Sequence, residues 1–239
     1  MLHFQTRRSV LAVGALFAAA VVAGLAQGQS KAPDSPLFLT DADLDLATHL
    51  ASPPSQASAE EKRELLEVHR IQAAASPERM AKAEWDEVHE DGGVFAETFG
   101  PGFSSLPATS KLLADVRHDQ KLATSKAKAF YRRTRPWIVD PTLKPCSTDD
   151  KPLTSYPSGH ATMGYAMAVV LAAAAPAKRR ALTQRADGYA ENRLVCGMHF
   201  RSDLVGGKTL GEGIGRAMLA KPAFRAELAA AAKELNSLR

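Results

Sequence analysis

Between Ala161 and Ala175 the chain reads ATMGYAMAVVLAAAA, a run without one charged residue. Thr162 and Tyr165 carry its polar side-chain atoms. A helix built from this run has no polar face, so it must be covered on every side. At 1.5 Å per residue it reaches about 22 Å, short of the roughly 30 Å hydrocarbon core of a bilayer. The run therefore reads as a buried helix at the centre of a helical bundle. Pro176 marks its end, because proline cannot continue a helix interior.

Helices must supply the cover, and helix signals fill the rest of the chain. Ser58-Ala59-Glu60-Glu61 is a capping box ahead of an apolar-periodic stretch with Leu65, Leu66 and Ile71. Ser76-Pro77-Glu78 joins an N-cap to a first-turn proline and a first-turn acid. A long helical pattern runs from about Thr109 to Arg135 and must stop near Pro136. Residues 137–157, with several prolines, read as loop. Helices are then expected at about 159–175, 177–192, 202–219 and 222–237. No alternating run of β-branched residues suggests a strand. There is no internal repeat and no dividing linker, so a single all-α domain over residues 38–239 is the economical reading. The 45% hydrophobic and 23% charged content of the 239 residues excludes a disordered chain, a collagen or a disulfide-dense mini-protein.

The first 28 residues carry Arg7 and Arg8, no acid, and an apolar run from Val10 to Ala26. Ala26 and Gly28 stand at the −3 and −1 positions of a cleavage site before Gln29. A cleaved signal peptide over residues 1–28 is expected, with a retained anchor as the alternative. Thr6-Arg7-Arg8-Ser9-Val10-Leu11 resembles a twin-arginine export signal, and a Sec signal fits as well. Residues 29–37, rich in Pro, Ser and Lys, read as a flexible start. The predicted destination is the periplasm or the exterior. The two arginines hold half of the formal net charge of +4. What is left gives no case for nucleic acid or for an anionic membrane as a partner. In an oxidising compartment the even pair Cys146 and Cys196 reads as a disulfide by default, with two buried free thiols as the alternative. Closing that loop is worth about 4 kcal/mol on the chain-entropy model. No CxxC or HxxxH spacing suggests a metal site, so no metal and no cofactor is expected.

Three segments carry chemistry. In the first, Lys128 and Arg135 lie seven apart and share a face of the expected helix, as Arg132 does, while Arg133 points elsewhere. Two cations on one face suit an oxyanion. In the second, Tyr156-Pro157-Ser158-Gly159-His160 opens the apolar helix. Free N–H groups at a helix start attract anions, Ser158 can cap the helix or donate to a ligand, and Gly159 lets the backbone approach closely. His160 sits in the first turn, where it can face an anion. In the third, Arg193 precedes His199 by six residues and Asp203 follows it by four. A helix beginning near His199 would bring Asp203 to one ring nitrogen, fixing the tautomer and directing the other nitrogen as base or nucleophile. Taken singly, each segment also fits a bland reading: a solvated basic face, a capped helix with an incidental histidine, a surface i,i+4 pair.

Together, Lys-x6-Arg-Pro, Pro-Ser-Gly-His and Arg-x5-His-x3-Asp in that order make a specific pattern. It resembles the signature of the type 2 phosphatidic acid phosphatase superfamily, which includes bacterial class A nonspecific acid phosphatases, lipid phosphatases, glucose-6-phosphatase and vanadium haloperoxidases. The class A enzymes are the most similar, with their Gly-Ser-Tyr-Pro-Ser-Gly-His-Thr segment. Here Thr154 stands for the first Gly and Ala161 for the last Thr. Asn192-Arg193 replaces the usual Ser-Arg, while Phe130-Tyr131 and Val195-Cys196-Gly197 follow the pattern.

The resemblance implies an all-α helical bundle of the acid phosphatase/vanadium haloperoxidase type. It implies an acid phosphatase of broad phosphomonoester specificity, able also to transfer phosphate to alcohols. His199 would attack phosphorus, Asp203 would orient His199, and His160 would protonate the leaving group. Lys128, Arg135, Arg193, Ser158 and Gly159 would hold the phosphate, without metal or other cofactor. It implies vanadate inhibition, and a homo-oligomer as the assembly. A vanadate-dependent haloperoxidase built on the same constellation is the alternative. A membrane lipid phosphatase would need several spanning helices, and the mature chain has none long enough.

Overall fold

A computed structural model of the chain describes Met1 and residues 35–238. The leader read over residues 1–28, with its twin-arginine string, and residues 29–34 lie outside the described residues. Residues 35–238 fall within one compact unit.

Ten α-helices follow in order among the described residues: α1 (Asp41–Leu44), α2 (Ala59–Ala74), α3 (Pro77–Val88), α4 (Ala96–Phe99), α5 (Pro107–Tyr131), α6 (Pro136–Val139), α7 (Gly159–Ala174), α8 (Arg179–Val195), α9 (Arg201–Ala220) and α10 (Pro222–Leu235). No strand occurs among the described residues. The fold is all-α.

The uncharged run is α7, buried along nearly its whole length. It packs chiefly on α9 and α8, and then on α5 and α10. Its closest approach is to α9, where glycines face it. A Cβ on Gly207 would stand 2.7 Å from Ala161 Cβ and 2.8 Å from the Ser158 carbonyl oxygen. One on Gly211 would stand 2.3 Å from the Thr162 carbonyl oxygen. Only glycine permits that approach. The approach lets Ser158 N–H donate to the Asp203 carbonyl (3.0 Å), a backbone bond between the second and third motifs.

Local signals act largely as the sequence indicates. Ser58 Oγ accepts from Glu61 N–H at the start of α2, but the Glu61 carboxylate returns to Ala57 N–H (2.7 Å) rather than to Ser58. Ser76 caps α3 with Pro77 in the first turn. Asp119 of α5 is buried and accepts the backbone N–H groups of Leu37, Phe38 and Leu39. The described end of the opening segment is therefore tied to the bundle.

One helix departs from expectation. The pattern over 109–135 predicts a helix reaching Arg135, but α5 ends at Tyr131 and Arg132 adopts the left-handed conformation (φ 48°). Arg132 closes the helix as a left-handed cap, its N–H on the Lys128 carbonyl, and Arg135 is extended (ψ 149°) ahead of Pro136, as a residue before proline prefers. Lys128 and Arg135 therefore do not share a helix face. The roles of the two arginines between them are also reversed. Arg133 is buried and Arg132 is exposed. Within 137–157, read as loop, α6 adds a short helical turn. Cys146 of this segment is disulfide-bonded to Cys196, 50 residues on (Cα–Cα 4.9 Å). Cys146 N–H also donates to the Cys196 carbonyl (3.1 Å).

Candidate active site

The three motifs meet in one place. A cavity of about 260 Å³ is lined by Lys128, Arg135, Gly159, His160 and His199, together with Glu87, Glu90, Ser147, Asp149 and Asp150. A larger cavity of about 440 Å³ opens between Gly93, Phe103, Leu113 and Arg117 and holds neither histidine. The smaller one gathers the motif residues.

His199 lies just before α9 rather than inside it. Asp203 still reaches it, because Asp203 caps the helix. Asp203 Oδ2 accepts Phe200 N–H (2.9 Å) and faces His199 Nδ1 at 3.2 Å. Ser155 Oγ donates to the same oxygen (2.5 Å), and Arg133 Nη1 donates to Oδ1 (2.7 Å). This carboxylate is fully buried and engaged at both oxygens. Arg133 also pairs with Glu64 (2.8 Å) and lies over the Phe200 ring.

On the far side of the His199 ring, Arg135 Nη1 stands 3.1 Å from Nε2. A guanidinium can only donate and a carboxylate can only accept. Nδ1 therefore carries the hydrogen and Nε2 presents its lone pair. Burial, then the charges of Arg135, Arg193 and Lys128, push the His199 pKa well below the ordinary histidine value.

The cations come from three elements. Lys128 sits in the last turn of α5, and a Cβ on Gly159 would lie 3.6 Å from its Nζ. Burial, with Arg135 adding to it, lowers the Lys128 pKa to about 8. Arg135 reaches the site from extended backbone. Its Nη2 contacts Asp150 (2.9 Å) and Thr154 Oγ1 (3.2 Å). Arg193, in the last turn of α8, is buried and pairs with the Glu87 carboxylate. Its Nε and Nη2 have no partner among the described residues. Ser158 is buried at the N-cap of α7, where its Oγ accepts from Ala161 N–H (3.3 Å). His160 follows in the first turn. Its Nε2 is 3.1 Å from the Glu87 carbonyl and its Nδ1 is 3.2 Å from Glu90 Oε1. Burial drives its pKa down to about 4, against the pull of Glu90.

A family model described as the PAP2 superfamily matches residues 116–226, the stretch holding all three motifs. The non-specific acid phosphatase of Salmonella typhimurium (strain LT2) is 32% identical over 168 residues, which cover 64% of this chain and 66% of that protein. The chain thus spans just under two thirds of that relative's length. The non-specific acid phosphatase of Providencia stuartii is 28% identical over 243 residues, covering 97% of this chain and 98% of its own. The crystal structure of a bacterial vanadium-dependent iodoperoxidase matches with a TM-score of 0.60 at 21% identity, over 78% of this chain and 55% of that one. That likeness speaks for the fold alone.

Residues 116–226 form a PAP2 superfamily domain.

Each motif residue named from the sequence lies at or beside this one PAP2 site. What sequence reasoning missed is the acidic and supporting set: Glu87, Glu90 and Asp150 against the cations, and Arg133, Ser155 and Glu64 around Asp203. The acidic cluster Asp86-Glu87 to Glu90-Asp91 ahead of Gly92-Gly93 was the available signal for Glu87 and Glu90. Two departures from the class A pattern find contacts in this PAP2 site. Thr154 holds Arg135, and Asn192 Nδ2 donates to the buried Asp86, which Arg185 also pairs.

Proposed function

We propose that this chain is an exported acid phosphatase that hydrolyses phosphomonoesters through a phosphohistidine on His199, without a metal ion. The carrying observation is the His199 ring, with Nδ1 on Asp203 and Nε2 facing the cationic cavity. The relatives named acid phosphatases support the reaction class.

In the first half-reaction His199 Nε2 attacks phosphorus. The Nε2–P bond forms, the P–O ester bond breaks, and the departing oxygen takes a proton from His160. Asp203 accepts the Nδ1–H throughout and balances the positive charge that develops on the ring. Lys128, Arg135 and Arg193, with the Gly159 amide at the start of α7, hold the phosphate oxygens. They supply the charge stabilisation that a metal ion gives elsewhere. In the second half-reaction water attacks phosphorus, gives its proton to His160 and frees Nε2. An alcohol in place of water would yield a transferred phosphate.

Hydrolysis of p-nitrophenyl phosphate by the purified mature chain tests this. Turnover is expected to survive EDTA, to be inhibited by vanadate and to be fastest below neutral pH. Loss of activity in EDTA would overturn the metal-free mechanism. Bromination by peroxide with added vanadate, without phosphatase turnover, would transfer the site to haloperoxidase chemistry.

A further inference from the structure

His160 has a fixed nitrogen and an exchangeable one. Nε2 faces the Glu87 carbonyl, which can only accept. That nitrogen therefore carries hydrogen in both ring states, and the proton that comes and goes belongs to Nδ1. Nδ1 faces Glu90 Oε1 at 3.2 Å, on the cavity side. The spacing matches that of His199 Nδ1 to Asp203 Oδ2, also 3.2 Å. The site thus holds two carboxylate–histidine pairs, and the second is not marked by any of the three motifs.

Glu90 is not a loose surface acid. Arg117 of α5 grips it twice, with Nε on its carbonyl oxygen (2.9 Å) and Nη2 on its carboxylate. Arg117 is braced in turn by Gln120 Oε1 (3.0 Å). Gln120 is buried and donates to Thr124 Oγ1 (2.6 Å) and, at 3.4 Å, to the carbonyl of Gly159, the residue before His160. The chain of contacts closes on the histidine it serves.

We propose that Glu90, clamped by Arg117, is the positioning carboxylate of His160, turning Nδ1 towards the cavity and keeping its proton in place until the leaving group takes it. The role rests on the phosphatase reading. The charged groups around the ring divide: Glu90 and Asp150 favour its protonation, while Lys128 and Arg117 oppose it. Glu90 is the one of the two acids in direct contact. As the ester P–O bond breaks, the Nδ1 proton passes to the departing oxygen. When water attacks, Nδ1 regains a proton and Glu90 again accepts it.

The test compares leaving groups. An alkoxide leaves poorly without a proton, and general acid help is worth about 10²–10⁴-fold. p-Nitrophenolate leaves without help, and the later step needs His160 neutral, the form that loss of Glu90 favours. Glu90→Gln is therefore expected to slow glycerol 2-phosphate hydrolysis by at least about tenfold, with p-nitrophenyl phosphate turnover much less affected. Glu90→Asp should restore part of the loss, and Arg117→Gln should reproduce it in part. Independently of turnover, the ¹⁵N shift of His160 Nδ1 followed against pH should show its midpoint lowered by Glu90→Gln. An unmoved midpoint, or equal losses on both esters, would overturn the proposal. A wild-type chain that cleaves neither ester would sink the phosphatase reading, and the ¹⁵N comparison would still decide whether Glu90 holds the proton.

Discussion

Lys128 loses its charge sooner than an ordinary lysine, and that makes phosphate binding sensitive to alkali. Its pKa is lowered to about 8 by burial, with Arg135 adding to the effect. The ammonium is present below that value and is lost as pH rises through it. Inhibition by inorganic phosphate should therefore weaken steeply above about pH 8. Lys128→Arg should flatten that decline, since a guanidinium stays charged. An inhibition constant that is level from pH 7 to 9 in the wild type would contradict this. The same scale shows what the sequence could reveal. Lys128, His160, His199 and Asp203 were legible as one cluster because residue type and spacing single them out. Arg133 was not, because its importance follows from where the chain turns after Tyr131. Counting helical faces through to Arg135 assigned the buried place to Arg132. The Arg135-Pro136 step already argued against a helix running that far.

Among the elements, the contact of α7 with α9 sets the distance between His160 and His199. The fold class and the long helices α7, α8, α9 and α10 were readable from caps, prolines and the uncharged run. The closeness of α7 to α9 was not, because glycines in a helix look like weak helix formers until a neighbour's backbone is seen against them. Gly211→Ala would place a methyl group 2.3 Å from the Thr162 carbonyl oxygen. Overpacking of this kind costs about 1–3 kcal/mol. Here it also stretches the Ser158 N–H bond to the Asp203 carbonyl, so activity should fall with stability. Gly188→Ala is the control. Its Cβ would meet nothing within 4 Å, and replacing a mid-helix glycine gains about 0.5–1 kcal/mol. Urea unfolding of both variants should give shifts of opposite sign, and shifts of the same sign would refute the packing argument.

For the molecule as a whole, the site imposes a cost in acid. The unfolded chain protonates histidine near pH 6.5, whereas folded His160 resists until about 4, and the His199 pKa is lowered as well. A folded-state pKa below the unfolded one means that stability is complete above about 6.5 and declines as pH falls towards 4. His160 alone can account for up to about 3 kcal/mol of that decline. The urea midpoint should drop across this window, and His160→Gln should reduce the drop. A midpoint unchanged from pH 7 to 4.5 would show that the folded rings take up protons freely. The acidic pH expected to favour turnover is therefore one at which the fold has lost part of its margin. Bound phosphate, which attracts the proton back to His160, is expected to return some of it.

The α7–α9 contact also governs what can evolve. The spacing of the reacting groups is set by main chain against main chain, at Gly207 and Gly211, where no side chain can be exchanged to adjust it. The mouth of the cavity is made differently, from Ser147, Asp149 and Asp150 on a loop tethered at one end by Cys146. Ser147 and Asp149 can vary without disturbing the centre, whereas Asp150 is held to it by Arg135. A lineage, or a directed library, seeking a new substrate has its freedom in that loop and almost none in the helices beneath it.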